Sequence, residues 1–251
     1  MAGKELDGFH FEQMHGKDRV RVARVWRARD GRHFMVEWNV SISLFSDCIA
    51  AYVRDDNSDI VATDTMKNTV YAKAKECTEQ LSVEDFAILL AKHFTSFYSQ
   101  VSGAIVKIVE KPWERVYIDG QPHEHGFKLG SEKHTVEVFV KKSGAVKLVS
   151  GIEELSVLKT TKSGFEGFIR DKYTALPETR ERILATEVTA SWRFPDISAV
   201  QLKMPNLHFL PVNISSKDNP AIVKFNDDVF LPTDDPHGSI QASLSHFWSR
   251  M

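Results

Sequence analysis

Apolar and polar side chains alternate without a break from Phe34 to Leu44. Phe34, Val36, Trp38, Val40, Ile42 and Leu44 fall on one face, and His33, Met35, Glu37, Asn39, Ser41 and Ser43 on the other. A period of two held over that length predicts a strand with one covered and one open face, as antiparallel sheets have. From Arg19 another strand leads into it, and Arg29-Asp30-Gly31-Arg32 between them is a tight turn in which Gly31 takes positive φ.

The period then lengthens. Residues 64–77 read as a helix, with Met66, Val70, Lys73 and Cys77 three or four apart. A second helix starts at Ser82, whose hydroxyl can cap the first turn while Asp85 reaches back. Its apolar stripe is Phe86, Leu89, Leu90, His93, Phe94 and Phe97, and such a stripe needs a sheet face to lie on. Strands over 104–109 and 135–140 follow, joined by a polar loop holding Asp119-Gly120 and His123-Glu124-His125. The order β-β-α-α-β-β predicts an α+β fold, a four-stranded antiparallel sheet with both helices on one face.

The second half opens in the same way. One strand runs over 145–159, broken near Gly151, and another over 183–194 with Leu184, Thr186, Val188, Ala190 and Trp192 on one face. Gly144 marks the boundary, so a first unit spans 17–143 and a second 144–248. Here the repeat fails. Residues 63–100 carry both helices in the first half, whereas Phe194 passes through Pro195-Asp196 straight into a strand with Val200, Leu202 and Met204 alternating. A sheet face left uncovered in this way is a poor state for a soluble monomer: either another subunit covers it, or the second unit is incomplete.

Composition narrows the function. The 251 residues carry a formal net charge of −2, from 32 basic and 34 acidic side chains. That balance argues against general nucleic-acid binding and against attraction to an anionic membrane. No apolar run approaches the ~20 residues of a membrane helix, and the amino-terminal stretch lacks a secretory signal's apolar core. Two cysteines, Cys48 and Cys77, allow no disulfide framework and no four-cysteine zinc site. Neither has a local His or basic partner to make it a nucleophile, and both are expected to be buried small residues. His123 and His125 could ligate a metal, but no further Cys or carboxylate cluster has the matching spacing, so a solvated loop is expected and no metal site. Ser249-Arg250-Met251 (residues 249–251) has the small–basic–large apolar form of a peroxisomal carboxy-terminal address, which predicts recognition by the import receptor and a location in the peroxisome.

Several strings share one family pattern. They are His15-Gly16-Lys17-Asp18-Arg19-Val20-Arg21-Val22, Val61-Ala62-Thr63-Asp64-Thr65-Met66-Lys67-Asn68, Gly164-Phe165-Glu166-Gly167-Phe168-Ile169-Arg170-Asp171-Lys172-Tyr173, Arg180-Glu181-Arg182-Ile183 and Met204-Pro205-Asn206-Leu207-His208-Phe209. In order and spacing, over nearly the whole chain, they resemble urate oxidase (uricase), most closely its plant-type members. The resemblance implies the tunnelling fold (T-fold), two β-β-α-α-β-β units in tandem closed into a barrel by oligomerisation, a tetramer in the family. It also implies cofactor-free oxidation of urate by O₂ and water to 5-hydroxyisourate and hydrogen peroxide, because deprotonated urate is itself an electron-rich ring. Oxygen chemistry is normally delegated to a flavin or a metal.

By the same resemblance Lys17, Thr63 and His208 form a proton relay: a lysine of lowered pKa, a threonine hydroxyl and a histidine near neutrality can pass a proton along. Arg182 is the urate clamp, its planar fork donating to a carbonyl and a ring nitrogen. Phe165 stacks on the purine plane, Asn206 holds O₂ or water above the ring, and the backbone N–H of Asp64, with Thr63, meets the far edge. In the family the residues matching Lys17, Thr63 and Asp64 come from a neighbouring subunit. Read without the family, Lys17 makes a surface ion pair with Asp18, Thr63 caps a helix, His208 is a strand histidine, Arg182 belongs to a helix-like pair with Glu178, and Phe165 and Phe168 are core.

One block departs from the family. Ser191-Trp192-Arg193 continues directly into Phe194-Pro195-Asp196, where family members carry the second unit's helix pair and a glutamine that pairs with urate opposite the arginine. Gln201 lies in the next strand and does not replace it. Helices of that kind contribute about 25 cal/mol per Å² of apolar surface they bury, and the lost amide removes a hydrogen bond to a buried anion. Weak urate binding with poor or no turnover is the expected consequence. A different T-fold activity, a zinc-dependent pterin enzyme, would need a three-histidine constellation that the sequence does not show.

Overall fold

The computed structural model of the chain describes residues 4–6, 9–194, 222–225 and 229–232, with side chains from 12 to 194. Its elements in chain order are β1 (Lys4–Leu6), β2 (Phe9–Phe11), β3 (Met14–Arg27), β4 (His33–Ser46), α1 (Ile49–Val53), α2 (Thr63–Glu76), α3 (Val83–Phe97), β5 (Val101–Glu110), β6 (Trp113–Ile118), β7 (Gln121–Leu129), β8 (Lys133–Lys141), β9 (Val146–Lys159), β10 (Leu184–Phe194), β11 (Ile222–Phe225) and β12 (Val229–Pro232). Strands β10, β9, β8, β5, β4 and β3 lie side by side in that order in one six-stranded sheet. Pairs β1–β2, β6–β7 and β11–β12 are separate two-stranded ribbons. Among the described residues no helix is long and apolar enough to cross a membrane.

The core sits between the sheet and helices α2 and α3. Val36, Trp38, Val40, Ile42 and Leu44 of β4 are buried, as the alternation predicts. The indole of Trp38 stacks on Phe86 of α3 at 4.4 Å. Ser82 caps α3, its hydroxyl accepting from the Asp85 amide at 3.0 Å and donating to the Asp85 carboxylate at 2.9 Å. The stripe that meets the sheet is Phe86, Ala87, Leu90, Ala91 and Phe94. Leu89 is half-buried and Phe97 is 71% exposed, so the buried arc is turned toward the alanines. Small side chains let the helix approach the sheet closely, which outweighs the larger residues' hydrophobicity.

Three further local readings change, and one short helix is added. Strand β3 begins at Met14 rather than Arg19, because backbone pairing with β4 carries the charged run into the sheet. The predicted polar loop is the hairpin β6–β7. Its turn residues Asp119 and Gly120 both have positive φ, 51° and 76°, the conformation of a two-residue hairpin turn. Helix α1, a five-residue turn after Cys48, carries no periodicity long enough to read. Strand β9 runs unbroken through Gly151, and its irregularity is at Glu154 instead, with φ at 60°.

The open face of the sheet is not uniformly wet. Glu37, on the polar side of β4, is 3% exposed. It accepts from Arg21 Nε at 2.5 Å and Trp113 Nε1 at 2.9 Å, with Lys111 Nζ 3.0 Å away. Burial pushes its pKa up, but the Arg21, Lys111 and Trp113 bonds overcome this and bring it down to about 2.

Residues up to Glu153 with 190–194 make one compact unit, and 154–189 belong to a second. Within the sheet, Gly144 sits in the turn between the adjacent strands β8 and β9. Among the described residues no helix follows α3. The expected bare face of β10 is partly covered: Leu184 is 2% exposed, Val188, Ala190 and Trp192 are half-buried, and Phe194 packs against the main core.

Candidate active site

Lys17 reaches its position through a β-bulge. Residues His15, Gly16 and Lys17 pair with Leu44, Ser43 and Ile42, and the register shifts between Lys17 and Val20. The extra residue is absorbed at Asp18-Arg19, where Arg19 has φ at 57°. Without it Lys17 and Val20 would point to opposite faces; with it, Lys17 shares the helix-bearing face with Val20 and Val22. Re-aiming a side chain is a recurrent use of bulges. Gly16 is required here by space, since a Cβ at that position would run into the carbonyl oxygen of Ile42. Lys17 is exposed in the single chain, not buried.

Helix α2 begins beside it. Ala62 is the N-cap residue with no side-chain cap bond, and Thr63 is the first helical residue, not the cap. The first intrahelical bond is Met66 N–H to Ala62 O at 3.1 Å. The amides of Thr63, Asp64 and Thr65 therefore have no partner within the helix, and together they favour an anion. The Asp64 carboxylate accepts from Lys67 at 2.6 Å and Asn68 at 2.8 Å. Its pKa is lowered chiefly by Lys67, with a further contribution from the charge of Lys17. Lys17 and the start of α2 are thus electrostatic neighbours. Among the described residues Lys17 and Asp18 form no ion pair.

His15 ties the two together. Its Nε2–H donates to the Val61 carbonyl at 3.1 Å, and its Nδ1 lies 3.3 Å from the Ser46 hydroxyl. Burial lowers the imidazole pKa, against the Val61 bond, which raises it.

Phe165 and Arg182 belong to a second cluster. Residues 163–165 and 179–182 run antiparallel: Phe165 N–H donates to Thr179 O at 2.8 Å, Thr179 N–H returns a bond at 3.3 Å, and Ser163 N–H meets Arg182 O at 3.4 Å. Gly164 faces the Arg180 backbone across this pair, with only 3.2 Å between the Arg180 Cα and the site of a Cβ. The segment 178–182 is not helical, and Glu178 accepts from the Gly167 amide at 3.3 Å instead of pairing along a helix. Phe165 and Phe168 are both half-buried and stack with ring planes 8° apart at 4.6 Å. Phe168 is therefore not a core residue. The Arg170 guanidinium lies 5.2 Å from its ring.

Lys17, Thr63 and Asp64 fall in one compact unit and Phe165 and Arg182 in the other. Asn206, His208 and Ser249-Arg250-Met251 lie outside the described residues. His123 and His125 project from β7 with their rings 4.6 Å apart. Among the described residues no group of three His, Cys, Asp or Glu is placed to hold a metal. Cys48 and Cys77 are buried, at 1% and 8% exposure, and burial raises the Cys77 thiol pKa.

A lysine beside a helix amino terminus and an arginine close in sequence to paired aromatic rings are the parts of the family pattern, and comparison with known proteins decides the matter. The uricase family model matches residues 13–139 and 148–197. The chain belongs to the uricase family. It is 62% identical to Uricase-2 of Phaseolus vulgaris over 309 aligned positions that cover all of both chains. It is 63% identical to Uricase-2 isozyme 2 of Glycine max over 310 positions, and 33% identical to the uricase of Dictyostelium discoideum. Within that family the chain is of the plant type. Among solved structures it matches the uricase of Arthrobacter globiformis at 41% identity and a TM-score of 0.64, over 76% of this chain and 64% of that one. The match thus spans just under two thirds of the bacterial chain. A uricase from Bacillus fastidious superposes with a TM-score of 0.61 at 25% identity, over 72% of this chain and 64% of that one. The fold is the T-fold of these enzymes. The 309-position alignment is longer than this chain's 251 residues, so it opens gaps within the chain.

Sequence reasoning passed over His15, Gly16 and the bulge, although the first two stand inside the motif that identifies Lys17. A histidine two residues before the lysine, on the same strand face, was the available signal.

Proposed function

We propose that this chain binds urate and oxidises it with O₂ and water to 5-hydroxyisourate and hydrogen peroxide. Urate gives up two electrons and two protons to O₂, forming H₂O₂, and water then adds across the oxidised carbon–nitrogen bond, its hydroxide to the ring carbon and its remaining proton to the ring nitrogen. Arg182 clamps the urate anion, Phe165 stacks on its plane, and the amides of Thr63 and Asp64 meet its far edge. Lys17, Thr63 and His208 carry the protons, and Asn206 holds O₂ or water above the ring. The exposed Lys17 is consistent with a site completed in an oligomer, where a neighbouring subunit supplies Lys17, Thr63 and Asp64 to the Phe165–Arg182 half. The tandem units 17–143 and 144–248, a tetramer, and import into the peroxisome through Ser249-Arg250-Met251 belong to the same reading. The observation that carries it is the juxtaposition of Lys17 with the free amides at the start of α2, in a chain of this family.

A second reading is favoured by the gapped alignment, which runs to 309 positions against the 251 residues of this chain. On it the second unit lacks its helix pair and the urate-binding glutamine, and the chain turns urate over poorly or only co-assembles with intact subunits. Peroxide release and loss of urate absorbance by the purified protein, with its mass from sedimentation, separate the two. Turnover comparable to full-length relatives in an oligomer supports the first; a monomer or aggregate that leaves urate untouched supports the second.

A further inference from the structure

Three positions on the helix-bearing side of the sheet converge although the chain separates them widely. His15 and Lys17 are two apart on β3, and side chains two apart on a strand share a face. Val61 is 46 residues further on, one residue before the N-cap of α2. The imidazole spans the gap: Nε2–H to Val61 O at 3.1 Å on one side, Nδ1 to Ser46 Oγ at 3.3 Å on the other. Ser46 in turn closes β4, the strand against which β3 pairs. A carbonyl can only accept, so the neutral ring carries its proton on Nε2 and leaves Nδ1 to accept from Ser46. Gly16, between His15 and Lys17, admits no side chain, which keeps the two strands in close contact at this point.

We propose that His15 is a positioning residue: by holding the Val61 carbonyl it sets the start of α2, with Thr63 and Asp64, against Lys17 on the neighbouring strand. The inference rests on the reading of Lys17 and Thr63 as the proton relay. His15 itself touches no substrate in this account. Its contribution is to fix the distance over which Lys17 and the Thr63 hydroxyl exchange a proton, and a displacement of about 1 Å in such a pair can cost on the order of a hundredfold in rate. Arg24 and Trp26 of β3 hold the far end of α2 at the Cys77 carbonyl, and among the described residues the His15 ring is the side-chain hydrogen bond that joins β3 to the segment leading into its start.

The test uses the full chain and its His15→Ala, His15→Gln and Ser46→Ala variants, at a temperature where circular dichroism shows all of them folded. A glutamine amide can replace the Nε2–H donor, so His15→Gln is the conservative rescue. Amide hydrogen exchange over residues 61–66 should speed at least tenfold in His15→Ala, with exchange in β5 and β8 unchanged. The rate at which acetic anhydride labels Lys17 should shift, and His15→Gln should return both toward the parent. Where peroxide production is measurable, kcat should fall tenfold or more in His15→Ala with KM within twofold. Parental exchange at 61–66 and parental Lys17 labelling in His15→Ala would overturn the assignment, as would acceleration spread evenly through β5 and β8. If the parent itself leaves urate untouched, the catalytic reading of the chain fails, while exchange and labelling still judge the role of His15. Should His15→Ala not fold, Ser46→Ala, which removes only the Nδ1 partner, must give a smaller change in the same direction at 61–66, and no change there counts against the proposal.

Discussion

Glu84 on α3 and His134 on β8 meet at 3.0 Å beneath the helix layer, Oε1 to Nε2. The carboxylate, 2% exposed, also accepts from Ser150 of β9 at 2.9 Å. Burial raises the Glu84 pKa, yet the bond and charge of His134, with help from Ser150, leave it lowered. Burial lowers His134, but Glu84 and the nearby Glu110 leave it raised. The pair therefore stabilises the fold above the ordinary Glu value of 4.5 and loses that contribution as pH falls through the lowered Glu84 pKa. On the His134 side it stabilises fully below 6.5 and fades as pH rises through the raised value. Stability measured by urea unfolding should pass through a maximum between those limits and flatten in Glu84→Gln, which should cost about 1–3 kcal/mol. An unaltered pH profile in that variant would show the pair to be inert.

Gly16→Ala should separate β3 from β4 next to Lys17, because the added methyl has only the Ile42 backbone to push against. Overpacking of this kind costs about 1–3 kcal/mol. A melting temperature equal to the parent's would mean that the strands part without strain.

The relay and the clamp should separate kinetically. Lys17→Met or Thr63→Ala should slow urate oxidation while leaving urate affinity nearly intact. Arg182→Ala should weaken binding roughly tenfold or more, since it unpairs a buried anion. Equal rates for Lys17→Met and its parent would dismiss the relay, and unchanged affinity in Arg182→Ala by titration would dismiss the clamp.

Ser82→Ala removes the acceptor of the Asp85 amide and should destabilise the fold by about 1 kcal/mol. Chemical denaturation reads this directly, and Asp85 contributes a second bond to the same cap.

Removal of Ser249-Arg250-Met251 should leave a fluorescent fusion in the cytosol, whereas the intact carboxy terminus should bring it into peroxisomes. Import of the truncated chain would refute the address.

Where a signal is local, it was readable. The period of two in β4 requires only neighbours in sequence, and its buried set from Val36 to Leu44 is as expected. The Ser82 cap is equally local. Phe97 was misjudged because helical spacing places it on the stripe, but which arc of α3 is buried depends on how closely Ala87 and Ala91 let the helix approach the sheet. Phe168 was misjudged because an aromatic beside an aromatic says nothing of whether the pair faces core or solvent.

Residue order alone determined β3, β4, α2, α3, β5 and β8 of the first unit, their α+β arrangement and the family, because periodicity, caps and motif spacing are properties of neighbouring positions. Tertiary structure decided that Lys17 stands on a bulge against the start of α2, that His15 spans to Val61, and that Glu37 is buried on the polar face of its strand. Each of these depends on groups between 16 and 76 residues apart meeting through the pairing of strands and the packing of helices, and no local pattern encodes which carbonyl or cation a given side chain will find.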